Sequence, residues 1–286
     1  MNEAIEQMLS KYSPKSSVDY ENALKEILQE IILLGLERNH FFEKAAFYGG
    51  TALRILHRLD RFSEDIDFTL LKPDLNFKFD KYFPGLAREL KAYGFDFTLE
   101  RVEKSQDRPV ESAFLKTNTR ILFLNITGTK SFADKIQKNQ SIKIKFEVDV
   151  DPATSFDTEI KTVLLPSAFS VKSLTLPSLF AGKMHAVLLR KWKNRIKGRD
   201  FYDFQWYMAR RTPLKKKYLE EKMRGSGVLN EPLTKDLLIN FFEKRIDTID
   251  WGKAKMDVRQ FIKDENQIKI WSSEFFKELI QKIELV

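Results

Sequence analysis

The sequence predicts an α+β fold, in which an N-terminal part with a mixed β-sheet flanked by helices precedes an α-helical C-terminal lobe. Two observations support this prediction. Residues Ile142 to Val150 alternate strictly between apolar and charged side chains, which is typical of a strand with one buried face. The segment from Pro166 to Pro177 is rich in Ser, Thr and Pro, and helical patterns follow it, so we expect two domains, residues 1–165 and 166–286.

The N-terminal domain is predicted to begin with a long helix. Leu24, Ile27, Leu28 and Ile31 recur at helical spacing within the segment from Asp19 to Phe42. The next elements form a compact unit of the βαβ type: a strand at Ala45 to Tyr48, a helix at Ala52 to Leu59 and a strand at Ile66 to Leu70.

The remaining elements follow from the same periodicities. Further strands are predicted at Phe95 to Val102, Ile121 to Thr127 and Ile142 to Val150, with a helix or loop at Leu75 to Tyr93 and a turn at Glu103 to Glu111. The helices of the C-terminal domain are predicted at Leu179 to Trp192, Asp200 to Ala209, Lys215 to Met223, Thr234 to Phe242 and Ser273 to Leu285.

The composition excludes several kinds of site. The chain has 286 residues, 43% of them hydrophobic, which is enough for a sizeable core. It has no cysteine and only three histidines, which excludes disulfides, thiol nucleophiles and Cys/His zinc sites, so any metal must bind oxygen ligands. The most apolar run, Ile27 to Leu36, is interrupted by Gln29 and Glu30. We therefore expect a cytoplasmic protein that does not enter a membrane.

The positive charge of the chain is concentrated in one segment. The net charge is +8, and the segment from Lys183 to Arg224 has fourteen Lys or Arg residues against four Asp or Glu residues. Aromatic residues such as Trp192 and Trp206 are interleaved with these cations, which favours a polyanion such as RNA or the phosphates of a nucleotide. The alternative is a basic helix face that is simply solvated.

A glycine corner precedes the second predicted helix. Gly49, Gly50 and Thr51 lie between the strand at Ala45 to Tyr48 and the helix that continues through Ala52 to Leu59. Backbone N–H groups gather at such a helix start and attract phosphate. The corner is therefore a candidate phosphate site, although glycine turns between a strand and a helix are also common without a ligand.

A pair of carboxylates follows that helix. Asp65 and Asp67 are two positions apart in an apolar run, and in a strand this spacing sends both side chains to one face. Adjacent carboxylates repel each other unless a cation lies between them, so the pair is a candidate metal site. The order of glycine corner, helix and Asp-x-Asp strand resembles the polymerase-β-type nucleotidyltransferase superfamily. This resemblance implies that the glycine corner holds a triphosphate and the aspartates hold Mg²⁺ or Mn²⁺.

A third carboxylate is expected from the strand at Ile142 to Val150. Glu147 and Asp149 both lie on its charged face, and a two-metal phosphoryl-transfer site needs a carboxylate from a neighbouring strand. We predict Glu147 for this role, with Asp149 as the alternative. The same face is also consistent with an ordinary exposed strand.

Two helices of the C-terminal domain have further candidates. Lys183 lies on the apolar side of its helix and needs an anionic partner there. Seventeen positions later, Asp200 and Asp203 share one helix face with Tyr207. Lys183 is expected to contact triphosphate oxygens, together with Arg190, and Asp203 to orient the lysine or meet the base or sugar. The alternative for Asp200 is that it caps the helix after Gly198.

Five short motifs in a fixed order resemble the AbiEii/AbiGii-type toxin family of the nucleotidyltransferase superfamily. They are Gly49-Gly50-Thr51-Ala52-Leu53, Arg61-x-Ser63-x-Asp65-Ile66-Asp67-Phe68, Lys145-x-Glu147 followed by Asp149 and Pro152, Ala181-Gly182-Lys183-x-His185-Ala186, and Lys197-Gly198-Arg199-Asp200-Phe201-Tyr202-Asp203. Together they span roughly Phe47 to Tyr207. Many members of that family are toxins of bacterial toxin–antitoxin pairs, some act in phage defence, and characterised relatives transfer nucleotides to tRNA.

The resemblance implies a set of roles. Nucleotide binding falls to Gly49, Gly50, Thr51, Lys145, Lys183 and Arg190, metal binding to Asp65, Asp67 and Glu147, and catalysis to Asp65, Asp67, Glu147, Lys183 and Asp203. The implied activity is a metal-dependent transfer of a nucleoside monophosphate from a nucleoside triphosphate to RNA, with tRNA as the expected acceptor and an antitoxin as a possible partner. Two other functions remain open: a non-catalytic nucleotide- or RNA-binding protein of the same fold, and a nucleotidyltransferase that modifies a partner protein.

Overall fold

A computed structural model describes residues 3–14, 16–95, 97–102, 110–118, 141–190 and 196–286. The chain divides into two compact units. The first unit comprises Met1–His57, Phe62–Pro152 and Ile160–Ser173, and the second comprises Arg58–Arg61, Ala153–Glu159 and Leu174–Val286. The expected boundary between residues 165 and 166 stays a prediction.

The first unit is built around a mixed β-sheet, and this confirms the predicted α+β class. Within the described residues the sheet has seven strands in the order β3-β4-β5-β2-β1-β7-β6. Their bounds are β1 Ala45–Tyr48, β2 Ile66–Leu70, β3 Thr98–Val102, β4 Val110–Asn118, β5 Ser141–Asp149, β6 Thr158–Val163 and β7 Phe169–Leu174. The predicted bounds of β1 and β2 are confirmed.

The central strands run in both directions. β1 and β2 pair antiparallel, so the predicted βαβ unit, which requires a parallel pair, is wrong. The helix between them returns the chain beside the strand it left. β2 pairs with β5 in parallel, and β1 pairs with β7 in parallel at Phe47 and Ser173. The buried hydroxyl of Ser173 donates a hydrogen bond of 3.0 Å to the Phe47 carbonyl.

Four helices of the first unit lie within the described residues. They are α1 Glu3–Ser10, α2 Ser17–Arg38, α3 Gly49–His57 and α4 Phe83–Ala92. Ser16 begins α2 with a capping box that includes Asp19. The predicted end of this helix at Phe42 is wrong, because α2 ends at Arg38 and His40 takes a left-handed φ of 60°. Phe41–Glu43 form a separate 3₁₀ turn.

Aromatic side chains fill the core of the first unit. The rings of Phe41 and Phe68 meet edge to face with centroids 4.7 Å apart, and Tyr82 lies 5.0 Å from Phe41 on another side. Helix α2 packs closely on α4 at Gly35, where a Cβ would lie 3.0 Å from Leu86 Cδ1. None of the helices in the described part of the chain is long and apolar enough to cross a membrane.

The second unit is mainly helical in its described residues, and its extended parts are the first two residues of β6, the last residue of β7 and one isolated bridge between Leu214 and Leu285. Its helices are α5 Leu176–Leu189, α6 Gly198–Ala209, α7 Lys216–Gly225, α8 Lys235–Ile246, α9 Trp251–Arg259 and α10 Ser273–Ile280. Helix α9 was not predicted, and the predicted end of the last helix at Leu285 is too late. Stacked pairs such as Trp251 with Phe276, at 4.6 Å, pack the helices together.

The sequence prediction missed three strands. β4 begins at Val110, inside the segment predicted as a turn, while the rest of that turn, residues 103–109, and the predicted strand at Ile121 to Thr127 lie outside the described residues. β6 is an edge strand with mostly exposed side chains, so it has little apolar signal. The side chains of β7 alternate between buried and more exposed positions over most of the strand, as expected for a strand. The strand lies, however, within the segment rich in Ser, Thr and Pro that was interpreted as a domain boundary.

Helix α2 buries a polar group that titrates near neutrality. Glu30 is 8% exposed. Burial raises the pKa of the Glu30 carboxyl to about 7, with Glu26 acting in the same direction and Lys11 and Arg54 against it. The folded protein therefore holds the Glu30 proton more tightly than the unfolded chain does. The stability that this proton contributes is complete below the unfolded pKa near ~4.3 and is lost as the pH rises through 7.

Glu30→Gln should therefore change the pH dependence of stability. Gln resembles the protonated carboxyl, so the variant should unfold at the same urea concentration as the wild type near pH 4. At pH 8 its free energy of unfolding should exceed that of the wild type by about 3–4 kcal/mol. Urea titrations at both pH values measure the difference. Glu37→Gln, at a half-buried position of the same helix, is the control, and an equal gain there would contradict the assignment.

Candidate functional site

Gly49 joins β1 directly to α3. Its φ is +83°, which disfavours any residue with a side chain. A Cβ at this position would lie 2.4 Å from Oδ2 of Asp67, closer than real contacts allow. The glycine therefore serves two needs, a left-handed backbone and room for the Asp67 carboxylate. The predicted helix start at Ala52 is wrong by three residues, because Gly49 and Gly50 form the first turn of α3.

The register of β2 and β5 places one carboxylate of each strand side by side. Asp67 pairs with Glu147, whereas Asp149 pairs with Thr69, two positions further along. Asp67 and Glu147 are both partly exposed, while their neighbours along each strand are buried. Glu147, rather than Asp149, is thus the carboxylate beside Asp67. The Asp149 carboxylate accepts a hydrogen bond of 3.2 Å from the Asp151 N–H.

Thr51 contacts the Asp65 backbone. The Thr51 side chain is fully buried in α3, and its hydroxyl donates a hydrogen bond to the Asp65 carbonyl. Asp65 itself immediately precedes β2 and is partly exposed. The hydroxyl of Thr51 is thus directed toward the carboxylate segment in this structure, and its predicted role in phosphate binding stays a prediction.

The predicted metal site consists of carboxylates, and one of them, Glu147, contacts a lysine. The Glu147 carboxylate forms an ion pair with Lys145, two residues earlier on the same face of β5. Among the described residues, no group of three or more acidic or histidine side chains is arranged to hold a metal ion. The donor set nevertheless suits a hard cation, because it consists of carboxylates.

A buried charge cluster lies in the second unit. Asp203 is fully buried and receives two hydrogen bonds of 2.6 Å from Arg61, one from Nε and one from an amino group. Its second oxygen also lies 2.8 Å from the ammonium of Lys183. Burial alone would raise the pKa of Asp203, but Arg61 and Lys183 outweigh burial and hold the pKa below its usual value. The carboxylate therefore stays ionised.

Asp200 continues the same cluster. Its oxygens lie 2.9 Å from Lys183 Nζ and 2.7 Å from an Arg190 amino group. Burial would raise the pKa of Asp200, but Lys183 and Arg190 hold it below its usual value. The alternative of a helix cap is wrong, because Lys197 occupies the cap position and the Asp200 carboxylate binds two cations. Three cations surround two carboxylates, so the cluster has an excess of one positive charge.

Arg61 is the site residue that the sequence interpretation missed. It was part of a motif but received no role, although its guanidinium is 2% exposed and binds a predicted site residue. Burial lowers the pKa of Arg61, and Asp203 more than restores it, so the pKa lies above its usual value. The signal in the sequence that could have indicated this role is the position of Arg61, four residues before the Asp65-x-Asp67 motif.

Many cations of the basic segment have internal partners. Arg199 stacks on Phe261 with 4.1 Å between guanidinium carbon and ring centroid, and Arg210 stacks on Trp206 at 4.0 Å. Lys215 forms an ion pair with Asp157 in the same unit. The segment is thus partly structural, and both the binding of a polyanion and the solvated helix face stay predictions. The predicted Trp192 lies outside the described residues.

A surface cavity of about 510 Å³ also belongs to the second unit. Lys216, Lys217 and Arg224 line it together with Ser155, Glu220, Glu221 and Val286. Its acidic side chains are already engaged: Glu220 binds Arg224, and Glu221 accepts hydrogen bonds from the Thr154 and Ser155 N–H groups. The cavity includes none of the predicted site residues.

The predicted site residues thus form two groups. Gly49, Gly50, Thr51, Asp65, Asp67, Lys145 and Glu147 belong to the first unit, and Lys183, Arg190 and Asp203 belong to the second. Within the first group, the structure brings Gly49, Asp67 and Glu147 together, with Thr51 tied to the Asp65 backbone. Within the second group, Lys183 contacts Asp203 directly, and Lys183 and Arg190 both bind Asp200.

A family model described as "Nucleotidyl transferase AbiEii toxin, Type IV TA system" matches residues 31–278. The match covers most of the chain and confirms the family that the five motifs predicted. No curated protein sequence is significantly similar to the chain.

Solved structures show weaker likeness. JHP933 from Helicobacter pylori is 17% identical, with a TM-score of 0.47, and the match covers 91% of this chain and 88% of that one. A putative nucleotidyltransferase from H. pylori is 17% identical, with a TM-score of 0.45 and coverages of 89% and 90%. MenT4, a nucleotidyltransferase toxin from Mycobacterium tuberculosis H37Rv, is 14% identical, with a TM-score of 0.48 and coverages of 97% and 86%.

Gly49→Ala should cost more stability than a left-handed backbone alone explains. Gly94 has nearly the same φ, +81°, but a Cβ there meets no atom within 4 Å, so Gly94→Ala is a matched control. We expect a loss of about 1–2 kcal/mol for the control and about 2–4 kcal/mol for Gly49→Ala, because only the latter collides with Asp67. Urea unfolding measures both values. Equal losses would show that Asp67 does not occupy the space beside Gly49.

Asp203→Asn should destabilise the second unit more than Asp200→Asn. Removing the charge of Asp203 leaves the fully enclosed Arg61 guanidinium without its anion, and such breaks cost about 3–5 kcal/mol. Asp200 shares its charge with Arg190, whose side chain is 37% exposed and can turn to water, so we expect about 1–3 kcal/mol there. Urea unfolding of both variants gives the order, and the reverse order would contradict the assigned pairing.

Proposed function

Because this chain belongs to the AbiEii family of nucleotidyl transferase toxins, we propose that it transfers a nucleoside monophosphate from a nucleoside triphosphate to an RNA acceptor. The expected acceptor is tRNA, and the reaction depends on Mg²⁺ or Mn²⁺. The observation that carries this proposal is the parallel register that sets Asp67 beside Glu147, with Gly49 against the Asp67 carboxylate.

Asp65, Asp67 and Glu147 would hold the divalent cation, which, when bound, neutralises phosphate charge during phosphoryl transfer. Glu147 has a second task in this scheme, because a carboxylate beside the acceptor hydroxyl can take its proton as the oxygen attacks the α-phosphorus. The bond from that phosphorus to the bridging oxygen breaks, and pyrophosphate leaves. Lys145, which pairs with Glu147 on the same face of β5, would contact a phosphate in this scheme.

In the first unit, the glycine corner would bind phosphates of the nucleotide. The N–H groups of Gly49, Gly50 and Thr51 lie in the first turn of α3, where the helix dipole favours the distal phosphates. Lys183 is 13% exposed and Arg190 is 37% exposed, so both can face an anion while Asp203 and Asp200 hold them in place. The excess positive charge of this cluster, within the second unit, favours binding of an anion such as a phosphate group.

Exposed cations of the basic segment support an RNA acceptor. Among the described cations of the basic segment, Arg211 and Lys217 are exposed, and they can bind a phosphate backbone. Affinity that falls steeply with salt is the expected sign of such binding. A toxin role in phage defence, with an antitoxin encoded by a neighbouring gene, follows from the family and is proposed on that ground alone.

Asp67→Asn and Glu147→Gln should each lower nucleotide transfer by about a hundredfold or more, because each removes a negative charge from the proposed metal site. Asp149→Asn is the matched control. It lies on the same face of β5 but pairs with Thr69, so it should retain transfer. The assay combines purified protein, Mg²⁺, total RNA and each labelled nucleoside triphosphate in turn, and label on RNA is measured.

Three results would overturn the proposal. Full activity of Asp67→Asn would exclude the metal site, and label that resists ribonuclease but not protease would identify a protein acceptor instead. Binding of triphosphate by the wild type without release of pyrophosphate would indicate a non-catalytic protein of the same fold.

A further inference from the structure

Helix α2 buries three polar side chains on one face. Gln29 and Glu30 follow Glu26 by three and four positions, so all three lie on one face of the helix. The exposed fractions of Glu26, Gln29 and Glu30 are 8%, 1% and 8%. The neighbouring residues of the helix are apolar core residues. Polar groups at such depth destabilise a fold unless hydrogen bonds satisfy them, so their partners indicate what this face holds in place.

Gln29 binds the segment that precedes the predicted metal ligands. Its side-chain nitrogen lies 3.0 Å from the Ser63 carbonyl and 3.0 Å from the Glu64 carbonyl, so its two hydrogens go to two successive peptides. The Thr51 hydroxyl donates to the next carbonyl, that of Asp65. Three consecutive carbonyls are therefore held by buried side chains of α2 and α3.

The same face of α2 also holds α3. Glu26 accepts a hydrogen bond of 2.7 Å from Arg54 Nε, and the Arg54 guanidinium lies 4.7 Å from the centre of the Phe62 ring. Residues 62–65 belong to no helix or strand, so backbone ladders do not fix them. Side chains from α2 and α3 hold this segment at Phe62, Ser63, Glu64 and Asp65.

We propose that Gln29 is a positioning residue for Asp65, whose amide group fixes the peptide segment that presents this carboxylate to the divalent cation. The inference rests on the proposed function, because it takes Asp65 as a metal ligand. Gln29 touches neither metal nor nucleotide in this scheme. Partners of this kind commonly change metal affinity by ~10–100-fold when removed.

The test uses Gln29→Met, which keeps the side-chain length and removes both donors. Hydrogen–deuterium exchange should rise about tenfold in peptides covering residues 60–70 and stay unchanged in the rest of the sheet. Binding of Mn²⁺ alone, followed by electron paramagnetic resonance, should weaken about tenfold. Gln205→Met is the matched control. It removes a hydrogen bond of 2.5 Å from Trp271 in the second unit and should change neither quantity.

Mn²⁺ binding tests the proposed metal site, and hydrogen–deuterium exchange tests the role of Gln29 separately. If the wild type binds no Mn²⁺, the proposed metal site fails, and exchange in residues 60–70 still decides whether Gln29 fixes the segment. Unchanged exchange there in Gln29→Met, or an equal rise in Gln205→Met, would overturn the inference. If Gln29→Met does not fold, Gln29→Asn replaces it. This variant keeps both donors on a side chain that is one methylene shorter, so a smaller rise in exchange is expected.

Discussion

The parallel pairing of β2 with β5 is the constraint on which the rest of the candidate site depends. The register is held by apolar residues, since Ile66, Phe68 and Phe146 are fully buried on the opposite side of the two strands. A slip of β2 by one residue would turn Ile66 and Phe68 to the partly exposed face and bury Asp67 on the face opposite Glu147. The hydrophobic core therefore determines which carboxylates lie together, without contacting them.

The two units use buried charge differently. In the first unit, the polar face of α2 binds backbone carbonyls and one arginine, so its effect is to hold chain segments in place. In the second unit, Asp203 and Asp200 bind the side chains of three cations. Buried ion pairs of this kind contribute little net stability, because desolvation offsets their attraction. Their effect is geometric: Asp203 and Asp200 fix Lys183 from two sides.

Local signals predicted much of the fold, and non-local pairing explains most of what they missed. The bounds of β1 and β2 follow from short apolar runs, whereas the antiparallel direction of the pair does not. The pairing of Asp67 with Glu147 joins residues from distant segments, and Arg61 binds Asp203 across 142 positions. No periodicity contains such information, so the choice between Glu147 and Asp149 required the register.

Buried polar residues were nevertheless visible in the sequence as interruptions of local rules. Gln29 breaks the most apolar run of the chain, and Asp203 is fully buried in a helix that is rich in aromatic residues. Each of them costs free energy to bury, and each binds a partner far away in the sequence. Local sequence patterns are usually broken at positions where a functional site is assembled. Such interruptions therefore indicate residues whose contacts depend on the tertiary structure. The interruption at Gln29 marks a helix that holds the Asp65 segment in place.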